Sequence, residues 1–479
     1  MYKELSKLIM YSDIGEDSII AKLGQIIREF DSGNYDSDDI RSRIYKEIHR
    51  LLEISTDYGF DKNLWHDYIA YILATNENPF SLTAEGTERS DGSVNKIVIR
   101  DMMIFNYLFN FDFSVLEEAL GIDAFSIVTD YSAIHKRRQL YNRNVSKKVR
   151  ALSDAIDENL KRINALKEEG KCEAIEAEYE AAEGTYSLVR DFYKENGVGM
   201  FGLNTAFRIA ESSGDPDMLE GRESFYSQDG SLKFVPINNT DKVMLDDLVG
   251  YEVQKQKLRE NTEAFLAGKP ANNVLLFGDA GTGKSTSIKA LINEYHDKGL
   301  RMIELYKHQM GYLSKIISSV KVRNYRFIIY MDDLSFEDNE TEYKYLKAVI
   351  EGGLETRPDN VLIYATSNRR NLIRESWNDI KDIELDKHRS DTIQEKLSLV
   401  SRFGVAIPFM KPNKKEYEAI VSTLAERAKL LGDLSDGASG EIDDSMSLQK
   451  LLEEANSWSL SHGGMSGRAA KQLIDKLMK

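Results

Sequence analysis

An α/β fold is predicted for the second half of this chain: a parallel sheet of about five strands with a C-terminal helical lid, preceded by a mostly α-helical N-terminal domain. Three observations carry the prediction. From Leu245 onward short apolar runs alternate with helical segments, the pattern of a parallel sheet whose crossovers are helices. One apolar run leads through a glycine-spaced octapeptide into a helix. Residues 1 to about 230 instead place apolar side chains at helical spacing, and only 7 prolines interrupt 479 residues.

In the N-terminal half, Asp36-Ser37-Asp38-Asp39 is an acidic helix start, followed by Ile40, Ile44, Ile48, Leu51 and Leu52 on one face. Trp65, Tyr68, Ile69, Tyr71 and Ile72 make a second apolar face, and residues 97–113 read as a buried helix. Val149, Leu152, Ile156, Leu160, Ile163 and Leu166 form a stripe near the coiled-coil period. Glu169-Gly170-Lys171 breaks that stripe, and Ile175, Tyr179, Tyr186, Val189 and Phe192 continue it on a second helix, which predicts an antiparallel helical hairpin. These elements make up an expected domain over residues 1–200. Residues 201–244 are rich in Gly, Ser, Asn and Asp, with turn signals at Ser213-Gly214-Asp215-Pro216 and Asp229-Gly230, and are expected to be a linker.

Strands are expected at 274–277, 301–305, 327–331, 361–366 and 405–409 within a core of residues 245–410. Helices are expected at 284–293, 310–320 and 342–352. Three more, near 414–430, 447–458 and 467–478, form the lid of residues 411–479, with an acidic, glycine-rich loop at 432–444.

The charge balance bounds the partners. Lys and Arg number 63 against 79 Asp and Glu, a net charge of −16. An acidic surface repels nucleic acid and anionic membrane unless a local basic patch intervenes. One run, His135-Lys136-Arg137-Arg138 through Arg143, Lys147, Lys148 and Arg150, contains no acid and encloses Tyr141. It suits phosphates or an acidic partner, although a solvated helix face paired with Asp154 and Asp157 is the plainer reading. The single cysteine, Cys172, permits no intrachain disulfide and no thiolate metal site. With no secretory h-region and no apolar run of about 20 residues, a cytoplasmic location and no membrane partner are expected.

The chemistry concentrates in the second half. Gly278-Asp279-Ala280-Gly281-Thr282-Gly283-Lys284-Ser285 fits G-x-x-x-x-G-K-[ST], with Thr286 following in the first helical turn. Glycines let backbone N–H groups close around phosphate oxygens at a helix N-terminus, Lys284 reaches the β- and γ-phosphates, and the Ser285 hydroxyl ligates Mg²⁺. The expected cofactors are therefore ATP and Mg²⁺. Phe327-Ile328-Ile329-Tyr330-Met331-Asp332-Asp333 fits a Walker B strand. Asp332 is the metal-side carboxylate and Asp333 stands where a water-activating Glu is often found, with Glu337 as the alternative base. In Ala365-Thr366-Ser367-Asn368 the polar residue that orients the attacking water is Asn368, with Thr366 the alternative. Arg402 in Ser401-Arg402-Phe403-Gly404 is a candidate arginine finger toward a neighbouring subunit, which implies a homo-oligomer. Arg468, at the start of the last lid helix, would reach the γ-phosphate from the lid. Val249, Gly250 and Tyr251 suit the adenine pocket.

Three blocks together resemble an AAA+-type bacterial family of uncharacterised ATP-binding proteins known only as a domain of unknown function. They are Asn272-Asn273-Val274-Leu275-Leu276-Phe277-Gly278-Asp279, Met331-Asp332-Asp333-Leu334-Ser335-Phe336-Glu337, and Ile363-Tyr364-Ala365-Thr366-Ser367-Asn368-Arg369-Arg370. Glu395-Lys396-Leu397-Ser398-Leu399, leading to Arg402-Phe403-Gly404, adds to them. The resemblance spans about residues 200–479. It implies a five-strand AAA+ core with a helical lid, ATP and Mg²⁺, and an Asp-Asp pair as the usual form of the second motif; it supplies no substrate. The function expected is ATP hydrolysis to ADP and phosphate, used to remodel or load a protein or nucleic-acid target. The alternative is an ATP-gated, helicase-loader-like binding module with little hydrolysis.

Overall fold

The computed structural model describes residues 1–86, 94–132, 143–169, 173–211, 225–226, 232–237, 240, 242–336, 342–351, 358–368, 400–428, 430 and 448–478. Outside these lie Glu337, Arg369, Arg370, Cys172, residues 135–141 of the basic run, residues 395–399, the 432–444 loop and the turn signals at 213–216 and 229–230. The chain divides into two compact units, the first mainly Met1–Thr205 and the second mainly Thr240–Lys479 together with Ala206–Ser212 and Tyr226–Val235.

The elements within Met1–Thr205 are all helices, joined by short loops and one isolated β-bridge between Lys62 and Tyr131. Ser37–Tyr58 starts where the Asp36 side chain accepts from the amides of Asp38 and Asp39, and it ends at Gly59 in the left-handed region. Leu64–Thr75 is apolar apart from its first turn, which carries His66 and Asp67, and is buried on nearly every side, with Trp65, Tyr68, Ile69, Tyr71 and Leu73 in one continuous core. Asp101, on Val94–Phe109, is buried and accepts from the amides of Ile9, Met10 and Tyr11, which fastens the N-terminal segment. Helices α1 (Arg143–Glu168) and α2 (Ala174–Asn196) follow one another as expected of the hairpin. Val149, Leu152, Ile156, Leu160 and Ile163 of α1 all face the core. On α2 the expected stripe is covered only from Ala182 onward: Tyr186, Val189 and Phe192 are buried, but Ile175 is 83% exposed and Tyr179 50%. Small residues make the close crossing instead. The Asn159 amide donates to the Ala181 carbonyl, and a side chain at Gly184 would collide with it.

The second unit is built on a sheet of β1 (Ala206–Glu211), β2 (Phe225–Tyr226), β3 (Leu232–Pro236), β4 (Val274–Gly278), β5 (Leu300–Glu304), β6 (Arg326–Met331), β7 (Val361–Ser367) and β8 (Val405–Phe409). The spatial order is β2-β3-β1-β5-β6-β7-β4-β8. Every neighbouring pair from β1 to β8 is parallel. The five expected strands form the contiguous run β5-β6-β7-β4-β8, each within a residue or two of its predicted bounds. The sheet is wider than five strands because the 201–244 segment, expected as a linker, supplies β1, β2 and β3. Ala206, Phe207, Ile209 and Ala210 of β1 are all buried, so this short apolar run joins the sheet edge despite its glycine- and serine-rich surroundings.

Helix α3 (Glu252–Leu266) precedes β4, and α4 (Lys284–Tyr295) follows it. The helix expected over 310–320 is a 3₁₀ turn, Lys307–Tyr312, running into Leu313–Val320. The lid helices are α5 (Lys414–Arg427), α6 (Leu448–Ser461) and α7 (Gly467–Leu477). They share a small core of Tyr417, Ile420, Val421, Leu451, Leu473 and Ile474, against which Val249 packs. No helix among the described residues is long and apolar enough to cross a membrane.

Candidate nucleotide-binding site

Parallel strands carry their ligand sites at their carboxyl ends, and the predicted chemistry gathers there. β4 ends at Gly278, whose φ of 129° is paired with a close approach: a Cβ there would lie 2.2 Å from the Phe409 carbonyl oxygen of β8. That backbone cannot yield, so Gly278→Ala is expected to lower unfolding stability by about 1–3 kcal/mol, read by denaturant melts. Gly283, at φ 92°, caps α4 without any side-chain bond. The first amides of α4 are thus left to a ligand, and the helix dipole favours an anion at that point.

Lys284 is 6% exposed and lies back against the loop. Its Nζ donates to the carbonyls of Gly278 (2.9 Å) and Asp279 (2.6 Å) and to Asn368 Oδ1 (3.1 Å). Burial pushes its pKa down, against the opposing pull of Asp279, Asp333 and Asp332. Ser285 Oγ donates to Asp332 Oδ1 at 2.6 Å, so the loop hydroxyl and the acid at the end of β6 already share one spot. Thr366 Oγ1 donates to the same oxygen at 2.6 Å and accepts the Asp333 amide at 2.9 Å. Burial opposes ionisation of Asp332, yet these two hydroxyls, the nearby Tyr330 hydroxyl and the charge of Lys289 together hold its carboxyl below the usual range. Asp333 adopts φ 49°, a left-handed conformation that aspartate tolerates and that the Thr366 bond fixes. The Asn368 amide donates to Asp333 Oδ1 at 2.6 Å, so this one side chain bridges Lys284 and Asp333. Thr366 and Asn368 therefore do separate things: the buried threonine pins the acid pair, and the exposed asparagine spans the cleft floor.

These groups floor a cleft of about 930 Å³ between the sheet and the lid, within the size range of small-molecule sites. Ala280, Gly281, Thr282, Gly283, Lys284, Ser285 and Thr286 line it, as do Asp332, Asp333, Asn368, Arg468, Val249 and Tyr251. Tyr251 stacks on Phe409 with ring centres 5.1 Å apart and donates to the Met410 carbonyl; burial, then Glu416 and Asp279, pushes its pKa up to about 12. Gly250, Gly278 and Asp279 do not line the cleft. Gly250 makes the left-handed turn before Tyr251, at φ 81°. Asp279 gives its amide to the Phe409 carbonyl and accepts the Lys411 amide on Oδ2 at 2.7 Å, tying the loop to the strand that leads into the lid. Arg468 hangs over the loop, its amide donating to the Gly281 carbonyl. Arg402 is elsewhere. Val405 pairs with Val274 and Phe409 with Gly278, so roughly 13 Å of strand separates the start of β8 from the phosphate loop. Arg402 lies before that start and does not line its own chain's cleft.

The far wall of the cleft includes Ile420, Leu424 and Ala428 of the α5 segment and Ile474 of α7. The sequence marks these segments only as lid helices, since a cleft-facing stripe and a core stripe have the same period. Arg427, beside them, donates to the carbonyls of Asp246 and Asp247 and fastens α5 to the segment before α3.

A divalent ion fits the donor set. Ser285 and Asp332 could supply two positions, with phosphate oxygens and water completing the octahedron that Mg²⁺ prefers. Among the described residues no cluster of three or more His, Cys, Asp or Glu could hold a metal by itself.

β7 separates the phosphate-loop strand β4 from the acid-bearing strand β6, and a helical lid follows the last strand. This arrangement is the AAA+ type of P-loop fold, which implies nucleotide binding in general and is typical of proteins that oligomerise. The chain belongs to the family described as protein of unknown function DUF815, matched over residues 222–479, just over half of its length. Among solved structures, it is similar to the Thermotoga maritima RuvB Holliday junction branch migration motor at 17% identity, over 50% of this chain and 72% of that one, with a TM-score of 0.29. Two variants of that protein match at 18% and 16% identity, over 50% and 49% of this chain and 72% of each, also with TM-scores of 0.29. No curated protein matches.

Proposed function

We propose that this chain binds ATP with Mg²⁺ in the cleft and hydrolyses it to ADP and phosphate, using the cycle to remodel or load a macromolecular target. The observation that carries the reading is the convergence of Lys284, Ser285, Asp332, Asp333 and Asn368 from three strand ends onto one floor, each within hydrogen-bond reach of the next. Lys284 would leave its carbonyl partners for the β- and γ-phosphates. Ser285 and Asp332 would hold the Mg²⁺, which neutralises charge developing on the phosphates. Asp333 is the general base and Asn368 the group that positions the attacking water. The apolar wall of Val249, Ile420 and Ile474 takes the adenine. Arg468 reports the γ-phosphate to the lid, and Arg402 completes the site of an adjoining subunit.

A specific observation also favours slow intrinsic hydrolysis, as in an ATP-gated binding module. Asn368 engages both the lysine and the base, so both are occupied until a γ-phosphate displaces it. Asp333→Asn separates binding from chemistry. The variant is expected to bind ATP with affinity within a few fold of wild type while phosphate release falls on the order of 10²–10⁴-fold, measured by equilibrium binding and phosphate assay. Equal phosphate release by both proteins would remove Asp333 as the base.

A further inference from the structure

Tyr330 carries a hydroxyl in the buried stretch Phe327–Met331 of β6, where its neighbours carry no hydrogen-bonding group. Phe327, Ile328, Ile329 and Met331 are its neighbours in β6, and all are buried. Tyr330 is itself 1% exposed, and it stands two residues before Asp332, so the two side chains leave the same face. Across from that face, Ser285 and Lys289 lie four residues apart on one side of α4. Lys289 Nζ is 5.8 Å from the centre of the Tyr330 ring. The Tyr330 hydroxyl lies close enough to Ser285 and Asp332 to help hold the Asp332 carboxyl low, yet it is fully buried and meets no partner among the described residues at good hydrogen-bonding geometry. A buried hydroxyl without a well-formed hydrogen bond is costly, and phenylalanine would fill the same space without that cost. Meanwhile the hydrogen bonds to Asp332 from Ser285, Thr366 and the Asp333 amide all fall on Oδ1.

From this geometry we infer that Tyr330 is a positioning residue for the divalent ion: its hydroxyl is an outer-sphere partner of the ion that Ser285 and Asp332 would hold. The inference rests on the nucleotide-site reading above. Groups that act on a metal through its inner ligands commonly change affinity tenfold or more when removed. The expected signature is therefore split. Without metal the hydroxyl has no well-formed hydrogen bond to offset its burial; with metal and nucleotide it has a partner.

The test is a Mn²⁺ titration, followed by electron paramagnetic resonance, of wild type, Tyr330→Phe and Asp332→Asn in the presence of ADP. Thermal unfolding is measured alongside without metal or nucleotide. Tyr330→Phe is expected to unfold at or above the wild-type temperature and to bind Mn²⁺ roughly tenfold more weakly. Unchanged Mn²⁺ affinity in Tyr330→Phe, with uptake lost in Asp332→Asn, overturns the inference and leaves the nucleotide site standing. A lower unfolding temperature for metal-free Tyr330→Phe overturns it in favour of a plain packing role. If wild type takes up no Mn²⁺ with nucleotide, the site reading falls and takes this inference with it.

Discussion

Lys284→Ala is expected to abolish detectable ATP turnover and to weaken ATP binding. The lysine is the single cation within the loop motif itself, and its ammonium is held 2.6–3.1 Å from two loop carbonyls and Asn368, close to where phosphate oxygens would replace them. Removing one preorganised donor from a transition-state site lowers turnover on the order of 10²–10³-fold, and a charged donor belongs at or above the upper end. The folded state should tolerate the change, because burial disfavours the charged lysine in the ligand-free protein. Expected results are a wild-type-like melting temperature, ATP affinity reduced by at least about tenfold, and phosphate release at background. Full turnover by Lys284→Ala would mean that the phosphates bind elsewhere.

Arg402→Ala is expected to show a comparable loss of turnover with little loss of ATP binding. Its position gives the reason. Arg402 sits at the end of the sheet opposite its own phosphate loop, so it can reach a γ-phosphate only in another copy. Fingers of this kind contribute about 10³–10⁵ in rate in GTPases. Mixing gives a sharper readout than the single variant. Arg402→Ala supplies an intact cleft without a finger, and Lys284→Ala supplies a finger without a working cleft. Combined in equal amounts, they should recover activity that neither shows alone. Absence of any recovery, with both proteins assembling normally, would return Arg402 to a structural role.

The sequence made the site's floor legible because its residues come from contiguous motifs: the loop at 278–285, the acid pair after β6 and the polar residues closing β7. The five core strands were equally visible as runs of Val, Ile and Leu bounded by turns. What stayed hidden depends on pairings distant in sequence. Tyr251 stacks on Phe409, and Asp279 holds the amide of Lys411, yet neither partnership leaves a local signal. The division of labour between Thr366 and Asn368 was open for the same reason: it is decided by which side chain meets the Asp333 amide. β1 was hidden by the composition of its surroundings, which read as a linker although Phe207 and Ile209 are buried. At the hairpin, the spacing that brings Tyr186 and Val189 inside also fits Ile175 and Tyr179. Periodicity fixes a face but not how far along the helix that face is covered.

The most direct test of the account is steady-state phosphate release from Mg²⁺-ATP, measured per protomer across a dilution series of the wild-type chain. The account predicts turnover that rises with protein concentration and then levels as Arg402 from one copy completes the cleft of the next. Absence of turnover at any concentration, in protein that binds ATP, would contradict it and leave a nucleotide-gated binding module.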